Sequence, residues 1–201
     1  MGRVNAAELD AVTIDAYGTL LTLVDPFPQL ERLLRGHDRA DIERAFFAEA
    51  DFYRAHAYKA DSESSLLTLR EDCVRVFNDS LGASLSAEEY VGVMQFEPLP
   101  GVVEALERLR SLGLSLAVVG NWDWSLHERL EETDLAPFFG AVVPAANKPA
   151  PGGILRALEE LRIPAARALH IGDEPSDEEA ARAAGVYFAP APLPEAVASL
   201  A

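Results

Sequence analysis

At 201 residues, 49% of them hydrophobic and 25% charged, the chain can form one domain or a core with a smaller insertion, and its composition is globular rather than disordered. A formal net charge of −16, from 17 Lys and Arg against 33 Asp and Glu, argues against nucleic acid or an anionic membrane as partner. No apolar run approaches the roughly 18 residues that span a bilayer. Met1 to Asn5 show no apolar leader, and the single cysteine, Cys73, has no partner for an internal disulfide, so a cytoplasmic protein is expected.

The first apolar run, Ala11-Val12-Thr13-Ile14, reads as a buried strand that ends in Asp15, with Gly18-Thr19 as the turn after it. A carboxylate at the C-terminal end of a parallel strand stands where open α/β sheets bind ligands, although an isolated Asp there reads as a turn or cap residue. The stretch of roughly 25–95 is helical in pattern. Asp41 to Ala57 carries Ile42, Ala45, Phe46, Ala50 and Tyr53 near helical spacing, and Leu66 to Leu81 carries Leu66, Leu69, Cys73, Val76 and Phe77 before a stop at Gly82. Ser86 and Glu89 form the pattern of a capping box.

From Pro100-Gly101 onward helix and strand alternate. The expected helices are 102–112, 125–133, 152–161 and 178–184; the expected strands are 114–119, 141–143, 168–171 and 186–188, with Pro190 to Pro194 as a connector to a last helix. Such alternation implies an α/β fold with a doubly wound parallel sheet, into which the helical block is inserted after the first strand. Residues 1–23 and 97–201 are then the core, and 24–96 an all-helical inserted unit.

Polar residues recur at the strand ends. After Asp15 come Gly120-Asn121-Trp122-Asp123, then Lys148-Pro149, then Gly172-Asp173-Glu174-Pro175-Ser176-Asp177. A nucleophile, a small polar loop, a lysine and paired acids in this order resemble the haloacid dehalogenase (HAD) superfamily over essentially the whole chain. The resemblance implies a Rossmann-like core with a helical cap, and a hydrolase acting through an aspartyl covalent intermediate. Asp15 would be the nucleophile, with Gly18, Thr19 and the backbone of Gly120 and Asn121 holding the transferring group and Lys148 neutralising charge. Mg²⁺ would be held by Asp15, the Tyr17 backbone carbonyl and Asp173, with Asp177 as a further ligand, a residue behind the ligands, or simply the N-cap of a helix opening at Glu178. A divalent cation would also let so acidic a protein bind a phosphorylated small molecule.

Two positions depart from the pattern of the family's phosphatases. Tyr17 replaces the aspartate that protonates the leaving group, help typically worth about 10²–10⁴-fold. Gly120 replaces a Ser or Thr that hydrogen-bonds the phosphoryl group, a loss of roughly 1.5–3 kcal/mol. Asp15 to Leu20 resembles the L-2-haloacid dehalogenase branch, which is metal-free and has tyrosine at the position of Tyr17. Three readings therefore stand: a Mg²⁺-dependent phosphatase favouring good leaving groups, a metal-free dehalogenase using a cap arginine such as Arg44 or Arg54, and a weakly catalytic binding protein. Asp25, Asp123 and His127 are candidate replacements for the missing acid. The four histidines form no recognisable metal cluster and His170 reads as packed in its strand. Trp122 and Trp124 flank Asp123, either at the pocket mouth or over the core edge.

Overall fold

Five parallel strands form the central sheet of the computed structural model, which describes residues 5–200; Met1 to Val4 and Ala201, at the two ends of the expected core, lie outside the described residues. β1 (Ala11–Ile14) runs in the middle, between β4 (Ser115–Val119) and β6 (Ala168–Gly172), with β5 (Ala141–Val143) and β7 (Tyr187–Pro190) at the edges. The register aligns Ile14 with both Val118 and Ile171, and Val119 with Val143. The strands therefore finish together, and the residues that follow them emerge along one edge of the sheet.

The near-continuous apolar character of β1, β4 and β6 follows from burial on both faces. Alternate residues divide between two cores, as the two-residue period of a strand requires. Val12, Ile14, Val118 and Ile171 face Leu106, Leu109 and Leu126, from α5 (Val102–Ser111) and α6 (Leu126–Glu132). Ala11, Ala117 and Val119 face Ile154, Ala157 and Ala181, from α7 (Gly152–Leu161) and α8 (Pro175–Ala184). A last helix, α9 (Leu193–Ala198), packs on α5.

After β1 the chain turns at Gly18 into β2 (Leu21–Leu23), which pairs antiparallel with β3 (Phe96–Pro98), Leu23 opposite Phe96. The sequence reading did not include these two three-residue strands. Between them lie α1 (Phe27–Leu33), α2 (Arg39–His56), α3 (Glu63–Leu81) and α4 (Ala87–Gly92), with a core of their own built on Leu30, Ile42, Val74, Phe77 and Tyr90. The capping box at Ser86 and Glu89 forms as expected, with reciprocal bonds of 3.1 and 2.8 Å. Gly82 closes α3 in the left-handed conformation, at φ 71°.

Helix α8 begins at Pro175, three residues before the expected start, because proline suits the first helical turn, where its missing N–H costs nothing. Glu174 is thus the N-cap, and Asp177 is the third helical residue rather than a cap. β7 starts at Tyr187 and takes in Pro190, so the expected connector shortens to Ala191-Pro192. Among the described residues no helix is long and apolar enough to cross a membrane.

Candidate active site

The aligned strand ends bring Asp15, Lys148 and Asp177 together. Lys148 Nζ donates to Asp15 Oδ1 and to Asp177 Oδ1, with all three side chains almost fully buried. Asp177 Oδ1 also meets His170 Nε2 at 3.2 Å, and Oδ2 accepts the Glu174 N–H at 3.0 Å. His170 Nδ1 lies 2.9 Å from Thr13 Oγ1 on the neighbouring strand. His170 is buried in β6 as expected, but it also braces the site from behind.

Burial sets the acidities, and the neighbours then divide them. Burial pushes the Asp15 carboxyl up to about 7, the charges of Asp177 and Asp173 adding to the effect against the pull of Lys148. Burial would also raise Asp177, but the His170 hydrogen bond and the Lys148 charge prevail and lower it to about 2. Lys148 is desolvated, yet Asp15 and Asp177 hold its pKa above the ordinary value. His170 is lowered by burial, which favours the neutral ring.

Asp173 is placed by two close approaches. Gly18 sits at φ 83°, and a Cβ there would collide with the Asp173 carboxylate. Thr19 Oγ1 donates to Asp173 Oδ1 at 3.1 Å. The Thr19 hydroxyl, expected on the transferring group, is therefore committed to Asp173, and the Gly18 N–H to Leu21 O at 2.9 Å. Carboxylate oxygens of Asp15, Asp173 and Asp177 lie within 4.8 Å of one another. Such an oxygen set suits a hard divalent cation. Asp177 already accepts three donors, whereas exposed Asp173 accepts one among the described residues. Asp173 thus has more acceptor capacity left for an ion than Asp177, which holds Lys148.

In the loop after β4, the backbone N–H groups of Gly120 and Asn121 were expected on the ligand, and among the described residues only the first of them is taken by a strand partner. The Gly120 N–H donates to Val143 O at 3.1 Å and is not free for a ligand. A Cβ at Gly120 would stand 3.2 Å from Ala16 Cβ, a tight approach that a Ser or Thr there would have to relieve by a small shift. The Asn121 side chain clamps the lysine: Nδ2 donates to Lys148 O at 2.9 Å, and Oδ1 accepts the Lys148 N–H at 2.7 Å.

A cavity of about 650 Å³ opens from Asp15 and Lys148 toward the inserted helices. Tyr17, 55% exposed, stands at its wall with its ring edge-on to Trp122, centroids 6.3 Å apart. Trp122 both lines the cavity and belongs to the core, while Trp124 is exposed and lies away from it. Of the candidate replacement acids only Asp123 lines the cavity, and its Oδ1 already accepts the Ser125 N–H at 2.8 Å; Asp25 instead accepts the Phe27 N–H where α1 opens. Arg54 lines the cavity and Arg44 does not. Sequence reasoning missed Glu49 of α2, buried in the cavity wall and receiving the Tyr90 hydroxyl at 2.9 Å. Its one signal was a carboxylate on the apolar side of an amphipathic helix.

The haloacid dehalogenase-like hydrolase family matches residues 9–185. The chain belongs to this family of hydrolases. A phosphoglycolate phosphatase of Pseudomonas savastanoi pv. phaseolicola is 35% identical over 185 residues, which are 89% of this chain. The chain spans 65% of that protein's length, less than two thirds. Among solved structures, an L-2-haloacid dehalogenase from Xanthobacter autotrophicus with chloropropionic acid covalently bound has a TM-score of 0.68 at 21% identity, covering 90% of this chain and 76% of the other. A HAD phosphatase from Thermococcus onnurineus has a TM-score of 0.62 at 24% identity, with coverages of 90% and 85%. At these identities the structural likeness is one of fold, and the fold serves both reactions.

Proposed function

We propose that this HAD-like hydrolase is a cytoplasmic, Mg²⁺-dependent phosphatase that cleaves small phosphorylated compounds with good leaving groups. The observation that carries this reading is Asp173, an exposed carboxylate held beside Asp15 by Gly18 and Thr19. Expelling a halide needs no such second acid, whereas a phosphoryl group brings charge that a cation must offset. The phosphoglycolate phosphatase relative supports the same choice.

In this reading Asp15, Asp173 and the Tyr17 carbonyl would hold Mg²⁺, which would supply charge neutralisation and favour the ionised form of Asp15. Asp15 attacks phosphorus, the bond to the leaving oxygen breaks, and an aspartyl phosphate forms. Lys148, held by Asp177 and Asn121, offsets the charge that gathers between nucleophile and phosphoryl oxygens. Water then attacks phosphorus, releasing phosphate and restoring the carboxylate. With tyrosine in place of the usual acid, the leaving oxygen departs unprotonated, which favours acyl and aryl phosphates over alkyl phosphates. The helices of 24–96 serve as a cap over the core of 1–23 and 97–201, limiting the water that reaches the site.

Phosphate release from acetyl phosphate, p-nitrophenyl phosphate and sugar phosphates, with Mg²⁺ and with chelator, tests the proposal against Asp15→Asn. Mg²⁺-dependent release lost in the variant, with sugar phosphates slowest, is the expected result. Halide release from 2-haloacids without metal would instead select the dehalogenase reading, which Tyr17 favours. Silence in both assays would leave a binding protein.

A further inference from the structure

The cavity that opens from Asp15 is lined by charged groups near the strand ends and by a run of apolar and aromatic side chains. Leu23, Phe46, Phe47, Leu69, Met94 and Phe96 line it, and Tyr17 and Trp122 add two aromatic faces next to the nucleophile. Its volume of about 650 Å³ falls within the roughly 300–1,000 Å³ of small-molecule sites. The buried ionisable groups in the cap wall are Glu49, Cys73 and Tyr90, none of them a cation. When ionised, Glu49 repels a second anion; when protonated, it offers only a neutral carboxyl. Burial pushes it toward the protonated form.

The arginines that reach this cavity already have acidic partners. Arg129 is nearly buried, with Glu128 at 2.9 Å and Glu132 at 2.7 Å. Arg70 pairs with Glu128 at 3.4 Å and Arg54 with Asp51 at 2.6 Å. Lys148 is shared between Asp15 and Asp177. The Arg54 pair is exposed and therefore weak, which makes Arg54 the cation best able to turn toward a ligand. It would do so from the open side of the cavity, whose buried cap wall offers Glu49 and no cation to pair with a second anion.

Resting on the phosphatase reading, we infer that the site takes phosphomonoesters whose leaving group is apolar, uncharged and of aromatic size, and that it discriminates against substrates carrying a second anionic group. The phosphoryl group passes to Asp15 while the P–O bond to the aryl oxygen breaks. The phenolate leaves with the electron pair and takes its proton from solvent. Water then hydrolyses the aspartyl phosphate to inorganic phosphate. This leaving group suits a site without an acid at Tyr17, and it buries apolar surface against the aromatic walls. Phosphoglycolate, whose carboxylate needs a cation beyond the phosphoryl site, is a poor fit by the same argument.

The deciding experiment is calorimetric binding to the Asp15→Asn protein in Mg²⁺, with 1-naphthyl phosphate and 2-phosphoglycolate as ligands. Naphthyl phosphate is expected to bind at least tenfold more tightly. Equal or reversed affinities overturn the inference, and loss of phosphoglycolate binding on adding Arg54→Ala would then identify the carboxylate's partner. Glu49→Lys in the same background should reduce the preference tenfold or more; Met94→Arg, on another wall, makes the same test if Glu49→Lys does not fold. A preference unmoved by a folded variant overturns the assignment of these walls. Acetyl phosphate, which makes no demand on the cavity, separates the two readings. Its Mg²⁺-dependent hydrolysis by the native enzyme without an aryl preference sinks only this inference. Its failure to turn over sinks the phosphatase reading, and the binding ratio still decides what the cavity accepts.

Discussion

His170 Nε2 stands 3.2 Å from the Asp177 oxygen that also receives the Lys148 ammonium. One carboxylate thus ties a histidine inside β6 to the lysine that faces Asp15. Removing the charge of Asp177 leaves Lys148 with a single acidic partner and His170 without a carboxylate. Asp177→Asn should cost roughly 3–5 kcal/mol of stability, as expected when a buried pair is broken. Displacement of Lys148 should lower kcat on the order of 10²-fold. Denaturant unfolding and phosphate release measure the two effects; an unchanged unfolding midpoint would remove Asp177 from its assigned place.

Gly18 meets two demands, a left-handed backbone and the closeness of Asp173. Gly18→Ala should cost about 1–2 kcal/mol from the backbone alone. It should also displace Asp173, so the Mg²⁺-induced rise in Tm expected of the native protein should shrink or vanish in the variant while the circular dichroism spectrum is kept. A full Mg²⁺ response in the variant would mean that Asp173 is not a ligand.

Tyr17→Asp places a carboxyl where alkyl leaving groups need a proton. Its kcat/KM for a sugar phosphate should rise on the order of 10²-fold relative to its value for an aryl phosphate. No relative gain would mean that another group, with Asp123 the one already lining the cavity, supplies the acid.

With metal removed, Asp15 gives stability a pH dependence of definite sign. Its folded pKa, about 7, lies above the ordinary 3.8, so between these values the folded state binds more protons than the unfolded state. Stability therefore falls as pH rises from about 4 to about 7, by at most about 4 kcal/mol. Asp177 acts in a lower window: held at about 2, its contribution is present above 3.8 and is lost as pH falls through 2. Chelated protein melted across pH 4 to 8 should show the fall, and Asp15→Asn should flatten it. An equal slope in the variant would assign the titration to another group.

The strand ends were legible because a parallel sheet buried on both faces writes apolar runs, and the run before Asp15 stops at a polar residue and a glycine. The β2–β3 pair was not legible. Three residues carry no period, and their partners lie more than 70 positions apart in the chain. For Asp177 the deciding fact is where α8 starts, and shifting that start to Pro175 changes a cap into a buried anchor. His170 could be read as buried, but its partners depend on register with Thr13. Gly120 was visible as a departure, while the nearness of Ala16 across the sheet edge exists only in three dimensions.

Asn121 offers the sharpest separation of positioning from chemistry, because its side chain hydrogen-bonds only the backbone of Lys148 among the described residues, through one donated and one accepted bond. Asn121→Asp keeps the acceptor and loses the donor, leaving a carboxylate oxygen facing the Lys148 carbonyl. Asn121→Ala loses both. If the clamp fixes the lysine, kcat should fall in both variants, on the order of tenfold or more, with KM for acetyl phosphate changing less. In Asn121→Ala, which adds no charge, the pH–rate profile should keep its shape, since the acidities of Asp15 and Lys148 are set by each other, by burial and by neighbouring carboxylates. A profile that shifts in Asn121→Ala would instead mean that Asn121 tunes the charge of the site directly rather than clamping the lysine.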